Sequence, residues 1–139
     1  MPLRLEIVTP ESRAYSDDVD MVVLPGVDGE MGIYPMHEPM MTQIKPGELI
    51  VTKGRELLHL AVGEGFVEIT QDHVNVLTDM AIEEQHIDPS IAEAAIKRAQ
   101  ESLQSGDLGS EEVASVEAAI QRSMAQLKVK RRGQPAARH

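Results

Sequence analysis

Residues 24–47 read LPGVDGEMGIYPMHEPMMTQIKPG, a stretch that holds four prolines, four glycines and four methionines. Asp28-Gly29 predicts a tight hairpin turn with positive φ, and Pro25-Gly26 and Pro46-Gly47 predict turns on either side of it. Pro35 and Pro39 have no amide hydrogen to donate, so they belong in loops or at strand edges. The stretch therefore predicts turns and edge strands, and no regular helix fits it.

Short apolar or alternating runs flank this stretch on both sides. The predicted strands lie at residues 3–7, 13–16, 21–24, 49–52, 57–62, 66–70 and 74–77. Runs of this length, spaced about 8 to 12 residues apart with turn residues between them, are typical of a β-sandwich or barrel. The sequence predicts an all-β domain over residues 1–84.

The pattern changes near Ala81, and residues 85–132 predict an antiparallel helical hairpin. Asp88-Pro89 is suited to the N-cap and first position of one helix, and Ser110 to the N-cap of a second. The first apolar stripe comprises Ile91, Ala92, Ala95, Ile96, Ala99 and Leu103, and the second Val113, Val116, Ile120, Met124 and Leu127. Alanine also recurs at 94, 114, 118 and 119, so the seam, the contact between the two helices, buries little apolar area. The sequence therefore predicts a hairpin of marginal stability that can switch between two arrangements. Residues 133–139 are expected to be a disordered tail.

Charge is unevenly distributed along the 139 residues. Residues 1–85 contain 16 acidic and 5 basic residues, residues 86–139 contain 7 and 8, and the net charge is −10. This balance argues against nucleic acid as a partner. The chain has no cysteine, no apolar run of signal-peptide length and no 18-residue apolar run. We therefore expect no membrane insertion and a link to a membrane only through partners.

Three motifs in the opening stretch carry a family resemblance. Gly29-Glu30-Met31-Gly32-Ile33-Tyr34-Pro35, His37-Glu38-Pro39 and Ile44-Lys45-Pro46-Gly47 resemble the N-terminal domain of the epsilon subunit of bacterial F-type ATP synthases. The resemblance extends from Met1 to about Arg132. It implies a non-catalytic central-stalk subunit at the cytoplasmic face of the bacterial plasma membrane. Such a subunit couples gamma to the c-ring and inhibits ATP hydrolysis through its C-terminal helices.

The resemblance also implies two partner-binding sets. The expected contacts with gamma and the c-ring are Glu30, Met31, Gly32, Tyr34 and His37. The expected basic face toward the beta subunit, once the helices extend, is Arg122, Lys128, Lys130, Arg131 and Arg132. Two simpler roles stay open: the methionines could fill a core without aromatic rings, and the basic end could compensate the helix dipole.

Some members of the family bind ATP through a motif resembling [I/L]DxxRA. Ile87-Asp88-Pro89-Ser90-Ile91-Ala92 matches it, except that Ile91 replaces the arginine. We expect Ile91 to pack in the helical seam and Asp88 to act as an N-cap. Arg98 and Arg122 are the other candidate ATP ligands, but without the motif arginine the sequence predicts no cofactor.

Two alternatives to this function have their own expectations. A small cupin-like enzyme would hold a metal at His37, but the chain has no HxH or HExxH ligand pair, so we predict neither metal nor catalytic residue. A free-standing adaptor would use the hairpin as a coiled-coil partner and would not need the motifs of residues 29–47.

Overall fold

The protein folds into ten strands followed by two helices, in a computed structural model that describes residues 2–132. The strands are β1 (Leu3–Val8), β2 (Arg13–Val19), β3 (Met21–Gly26), β4 (Gly29–Ile33), β5 (Met40–Ile44), β6 (Gly47–Lys53), β7 (Glu56–Val62), β8 (Gly65–Ile69), β9 (His73–Thr78) and β10 (Ala81–Glu83). A 3-10 turn (Glu84–His86) leads to α1 (Pro89–Ser105) and α2 (Ser110–Arg132). The predicted β-sandwich followed by a helical hairpin is confirmed. The tail predicted to be disordered, residues 133–139, lies outside the described residues.

The strands form one continuous sheet that folds around a core. Their order is β10-β7-β6-β3-β5-β8-β9-β1-β2, and β4 pairs with β3 beside this path. All pairs are antiparallel except β1 with β9. The core is aliphatic: its buried residues are Leu3, Leu5, Ile7, Val19, Val22, Leu24, Ile33, Ile44, Leu49, Val51, Leu60, Val62, Val67, Ile69, Val74 and Val76. The alternation of strand residues thus turns one face of the sheet inward.

The hairpin in the opening stretch differs in detail from its prediction. Its two-residue turn is Val27-Asp28, and the positive φ falls on Gly29, at 130°, which pairs with Gly26. The prediction that Pro25-Gly26 forms a turn is wrong, because β3 continues through both residues. Pro25 is tolerated because its nitrogen faces away from β4, on the side where its carbonyl accepts from the Lys45 amide, so the missing hydrogen removes no bond between β3 and β4.

Several strands are longer than predicted, and three, namely β4, β5 and β10, are not among the predicted runs. β2 continues through Asp17 and Asp18, whose carboxylates pair with Lys53 of β6 and with Arg4 of the adjacent strand β1. Opposite charges across a sheet stabilise such positions, which lie beyond the predicted end of the strand at residue 16. β5 and the three-residue β10 were not predicted.

The helical hairpin begins and ends at specific capping groups. Asp88 accepts hydrogen bonds from the amides of Ser90 and Ile91, as predicted for an N-cap. α1 ends at Gly106, which has a left-handed φ of 75°. Ser110, predicted to be the N-cap of α2, is instead its first helical residue. The cap position falls on Gly109, whose amide donates to the Glu112 side chain at 3.1 Å.

α2 connects the hairpin to the sheet. α1 packs along α2, and α2 packs on β6, β7 and the 3-10 turn. A second apolar cluster forms this junction and comprises Ala61, Ile87, Ala125 and Val129, with Met80 and Ile82 beside it. The hairpin is therefore held mainly through one helix.

Candidate partner-binding surfaces

The predicted rotor-facing residues lie on β4 and in the loop that follows it. Glu30 and Gly32 are exposed, and the Tyr34 side chain is 60% exposed. Met31 is only partly exposed, because it pairs with Leu24 and packs against the core. Four of the five predicted residues therefore lie at or near the surface, and Met31 points inward.

The loop between β4 and β5 holds an unusual backbone conformation. Among residues 2–132, Met36 is the one non-glycine residue with positive φ, at 72°. Its amide donates to the carbonyl of Gln71 at 2.7 Å, which ties the loop to the β8–β9 turn. The Nδ1 atom of His37 lies 2.7 Å from the Glu38 carbonyl oxygen, so this imidazole is held locally.

Three of the four methionines in the opening stretch are exposed, namely Met36, Met40 and Met41. Only Met31 contributes to the core. The interface role and the core role that the sequence left open are thus divided between different methionines. A surface rich in methionine adapts easily to a partner.

An apolar strip, which the sequence analysis missed, crosses β8, β9 and β1. Phe66 pairs with Leu77, and Leu77 with Val8, and each of the three side chains is more than a third exposed. The signal was present in the sequence: Phe66 is out of phase with Val67 and Ile69, which the alternation places in the core. Contiguous exposed apolar side chains make this strip a candidate interaction surface.

The predicted basic face is divided by the contacts of α2 with the sheet. Arg122 pairs with Asp79 at 3.4 Å, and Lys130 pairs with Glu84 at 3.1 Å. Between these two bases on the same helix face, Gln126 lies 3.3 Å from the sulfur of Met80. Arg122 and Lys130 therefore hold the helix down, with their side chains mostly shielded.

Two further basic residues of α2 are exposed. Lys128 and Arg131 are exposed and line a cavity of about 450 Å³ between α2 and Pro46-Gly47. Arg132 is the last residue of the helix. Lys128 and Arg131 give the C-terminal end of α2 a positive surface next to an acidic domain.

A polar pair lies under α2. Glu48 is 4% exposed, and its carboxylate lies 2.8 Å from Nδ1 of His59. Glu48 pairs across the ladder with Ala61, which packs against Val129. The docked helix thus covers both an apolar cluster and a buried carboxylate, and its release would return that carboxylate to water.

The candidate ATP ligands are not gathered into a binding site. Asp88 caps α1, and hydrogen bonds from the Ser90 hydroxyl and then from the amides of Ser90 and Ile91 lower the pKa of its carboxyl. Arg98 is exposed on α1, and Arg122 is paired with Asp79. The prediction that Ile91 packs in the seam is wrong. Its side chain is 66% exposed, because Ala92 takes the buried position beside it.

Residues 2–132 show neither a group of three or more potential metal ligands nor a helix long and apolar enough to cross a membrane. The histidine of the enzyme alternative, His37, therefore belongs to no such group within that range.

Comparisons with known sequences agree with one another. Residues 2–84 match the family described as "ATP synthase, Delta/Epsilon chain, beta-sandwich domain", and residues 85–131 match "ATP synthase, Delta/Epsilon chain, long alpha-helix domain". The ATP synthase epsilon chain of Dehalococcoides mccartyi is 43% identical over 135 residues, which cover 96% of each chain. ATP synthase epsilon chain 2 of Syntrophotalea carbinolica is 38% identical over 131 residues, or 94% of this chain and 95% of that one.

Two solved structures contain a similar chain. One is the Euglena gracilis mitochondrial ATP synthase (OSCP/F1/c-ring), with a TM-score of 0.74, 21% identity and coverage of 91% of this chain and 79% of that one. The other is the Tetrahymena thermophila mitochondrial ATP synthase (central stalk/c-ring), with a TM-score of 0.61, 8% identity and coverage of 94% and 97%. At these identities the likeness shows a shared fold.

Proposed function

The chain belongs to the ATP synthase delta/epsilon family, and we propose that it couples the gamma subunit to the c-ring and restrains ATP hydrolysis through its C-terminal helices. Its relatives are epsilon chains, which are non-catalytic subunits of the synthase. The resemblance seen in the three motifs of residues 29–47 is thereby confirmed. The metal-dependent enzyme and the free-standing adaptor are set aside.

The β domain would provide the rotor contacts. The loop of Tyr34 and His37, braced by the Met36 amide, offers a fixed protein surface, and the strip of Val8, Phe66 and Leu77 offers an apolar one. A rigid aliphatic core behind both surfaces suits a part that must transmit torque without deforming.

The weak attachment of α2 is the observation that carries the regulatory proposal. Two partly exposed ion pairs and a small cluster of Ala61, Ile87, Ala125 and Val129 hold it. Ion pairs of this exposure contribute about 0–1 kcal/mol each, and alanine buries little apolar area. The docked and released states therefore differ by little, as a switch requires.

Released helices would be long enough to act at a distance. α1 has 17 residues and α2 has 23, which at 1.5 Å per residue correspond to roughly 25 and 34 Å. Release would free Arg122 and Lys130 from their acidic partners and add them to the exposed Lys128 and Arg131. We propose that this basic face meets an acidic segment of the beta subunit and blocks rotation. The chain would act at the cytoplasmic face of the bacterial plasma membrane, attached through its partners.

Deletion of residues 86–139 tests the regulatory role. We expect the assembled complex with the truncated chain to hydrolyse ATP faster than the complex with the full chain. The control is copurification of the truncated chain with gamma, which shows that the β domain is still in place. An unchanged rate with gamma still bound would overturn the inhibitory role.

Crosslinking tests the contacts directly. The chain has no cysteine, so a single introduced one is unique. We expect Tyr34→Cys to crosslink to gamma or the c-ring, and Lys128→Cys to crosslink to beta when the helices are extended. Crosslinks from Tyr34→Cys to the catalytic subunits alone would contradict the proposed orientation.

A further inference from the structure

β4 is an edge strand whose outer side carries no hydrogen bonds within residues 2–132. It pairs with β3 alone, and no other backbone bond of the described chain involves its residues. A free edge offers a row of amide and carbonyl groups to which another strand can add. The register shows which groups these are.

Residues in an antiparallel pair alternate between hydrogen-bonded and non-hydrogen-bonded positions. Pro25 has no amide hydrogen, and its carbonyl accepts from Lys45 on the side away from β4. The Pro25–Glu30 pair is therefore the non-hydrogen-bonded kind, and so is Val23–Gly32 two residues along. The amide and carbonyl groups of Glu30 and Gly32 consequently point away from β3, toward the free edge.

The other two edges of the sheet are protected. On β2, Asp17 and Asp18 are engaged by Lys53 and Arg4. β10 has only three residues, and the turn after it is covered by Lys130 of α2, which bonds both the carboxylate and the carbonyl of Glu84. Short length and charged side chains are the usual means of blocking an edge.

β4 has few of these protections. Its five residues include Gly29 and Gly32, and its single charge is Glu30. A Cβ added to Gly32 would meet only the terminal methyl of Met21, at 3.0 Å, which is the far end of a flexible side chain. The carboxylate of Glu30 is exposed and forms no ion pair with any residue in 2–132.

We propose that β4 is extended by a strand of the gamma subunit, through main-chain hydrogen bonds to Glu30 and Gly32. The added segment carries a basic side chain next to Glu30, since that carboxylate is otherwise unmatched beside an acidic domain. This proposal rests on the proposed function for the identity of its partner. The main-chain groups of Glu30 and Gly32 thus recognise gamma, whereas the resemblance implied only that these two residues contact a partner.

Matched pairs of substitutions isolate the backbone contribution. Gly32→Ala keeps the amide hydrogen and Gly32→Pro removes it; Glu30→Ala and Glu30→Pro form a second pair. The removed hydrogens point outward, so the β3–β4 ladder retains its bonds, and proline is tolerated on such an edge. Thermal unfolding of each full-length variant checks that the fold survives.

Binding to purified gamma subunit is the readout. We expect each proline variant to bind gamma roughly fivefold or more weakly than its alanine partner, the effect of about one lost hydrogen bond. We also expect Glu30→Ala to weaken binding more at low salt than at high salt. If the unmodified chain binds gamma and both proline variants match their alanine partners, strand addition is wrong and the proposed function stands. If the unmodified chain does not bind gamma, the proposed function itself fails.

Discussion

The guanidinium of Arg122 lies 3.4 Å from the carboxylate of Asp79, so α2 is tied to the turn between β9 and β10. Two helical turns later, Lys130 reaches Glu84 just beyond β10. Both acids lie in one short segment, residues 79–84, and both bases lie on one face of α2. Because neither ion pair is deeply buried, both can break together and let α2 separate from this segment.

Removal of either ion pair should loosen α2 without unfolding the β domain. We expect Asp79→Ala and Glu84→Ala each to destabilise the docked helix by about 0–1 kcal/mol, and the double variant by more. Amide hydrogen exchange measures this as faster exchange in α2 with unchanged exchange in the core strands. Lys97→Ala, an exposed base on α1, is the control. Equal exchange in α2 for all four chains would show that the ion pairs do not hold the helix.

Added salt should have the same effect as these substitutions. Salt screens partly exposed charges over about 10 Å at 0.1 M ionic strength. We therefore expect exchange in α2 to rise with ionic strength in the unmodified chain and to rise less in the double variant. A salt response of the same size in both would contradict an electrostatic seam.

Val129 should contribute more to docking than any exposed residue of its helix. It is fully buried against Ala61 and Ile87. Val129→Ala removes about two methyl groups' worth of burial, or roughly 1.5 kcal/mol, and leaves a cavity that adds to the loss. Met124→Ala is the matched control, since that larger side chain is half exposed. If α2 exchanged faster in Met124→Ala than in Val129→Ala, the assignment of Val129 to the docking face would be wrong.

Much of the fold could be predicted because its signals are local. Alternation in β1 and β8, the N-cap at Asp88 and the glycine-rich break before α2 each follow from a few neighbouring residues. β5 and β10 were missed for the opposite reason. β10 is three residues long and exists because Ala81–Glu83 pair with Leu60–Val62 far away in sequence. Such pairing leaves almost no pattern in the segment itself.

The candidate surfaces were less predictable than the fold. Helical spacing placed both Ile91 and Ala92 near the seam, but in the folded chain Ala92 is buried and Ile91 is exposed. The motif marked Met31 and Gly32 equally, whereas the strand's alternation turns Met31 inward. Likewise, Arg122 and Lys128 look alike in a basic run, but acids from another element engage only the first of them.

Gly65 occupies a position that no other residue can fill. A Cβ built on it would lie 1.9 Å from the carbonyl oxygen of Leu77, which belongs to the neighbouring backbone. Gly65→Ala must therefore push β8 and β9 apart, and we expect a loss of about 3 kcal/mol or more in the free energy of unfolding. Gly109→Ala, whose Cβ would meet no atom closer than 3.5 Å, should cost less than about 1 kcal/mol. Chemical denaturation of both variants compares them, and equal losses would refute this packing argument.

The N-cap of α1 should weaken in acid. The Ser90 hydroxyl is the main cause that lowers the pKa of the Asp88 carboxyl, followed by the amides of Ser90 and Ile91. Because the folded pKa is below the unfolded one, the stabilisation is present above the unfolded pKa and is lost as pH falls through the folded value. We expect Ser90→Ala to raise the midpoint of the Asp88 titration, measured by NMR, and to fray the first turn at a higher pH. Ser102→Ala, on the same helix, is the control; an identical midpoint in Ser90→Ala would contradict the assigned cause.

ATP should not bind this chain at sub-millimolar concentration. Ile91 stands where the motif resembling [I/L]DxxRA has arginine, and an alkyl side chain cannot pair with phosphate. Of the remaining candidates, Asp88 is occupied as an N-cap and Arg122 by Asp79. Calorimetry on the full chain is the measurement, and heat of binding below 1 mM would contradict the prediction. Asp79→Ala sharpens the test, because it frees the guanidinium of Arg122: binding that appears only in this variant would show that the ion pair, and not Ile91 alone, excludes the nucleotide.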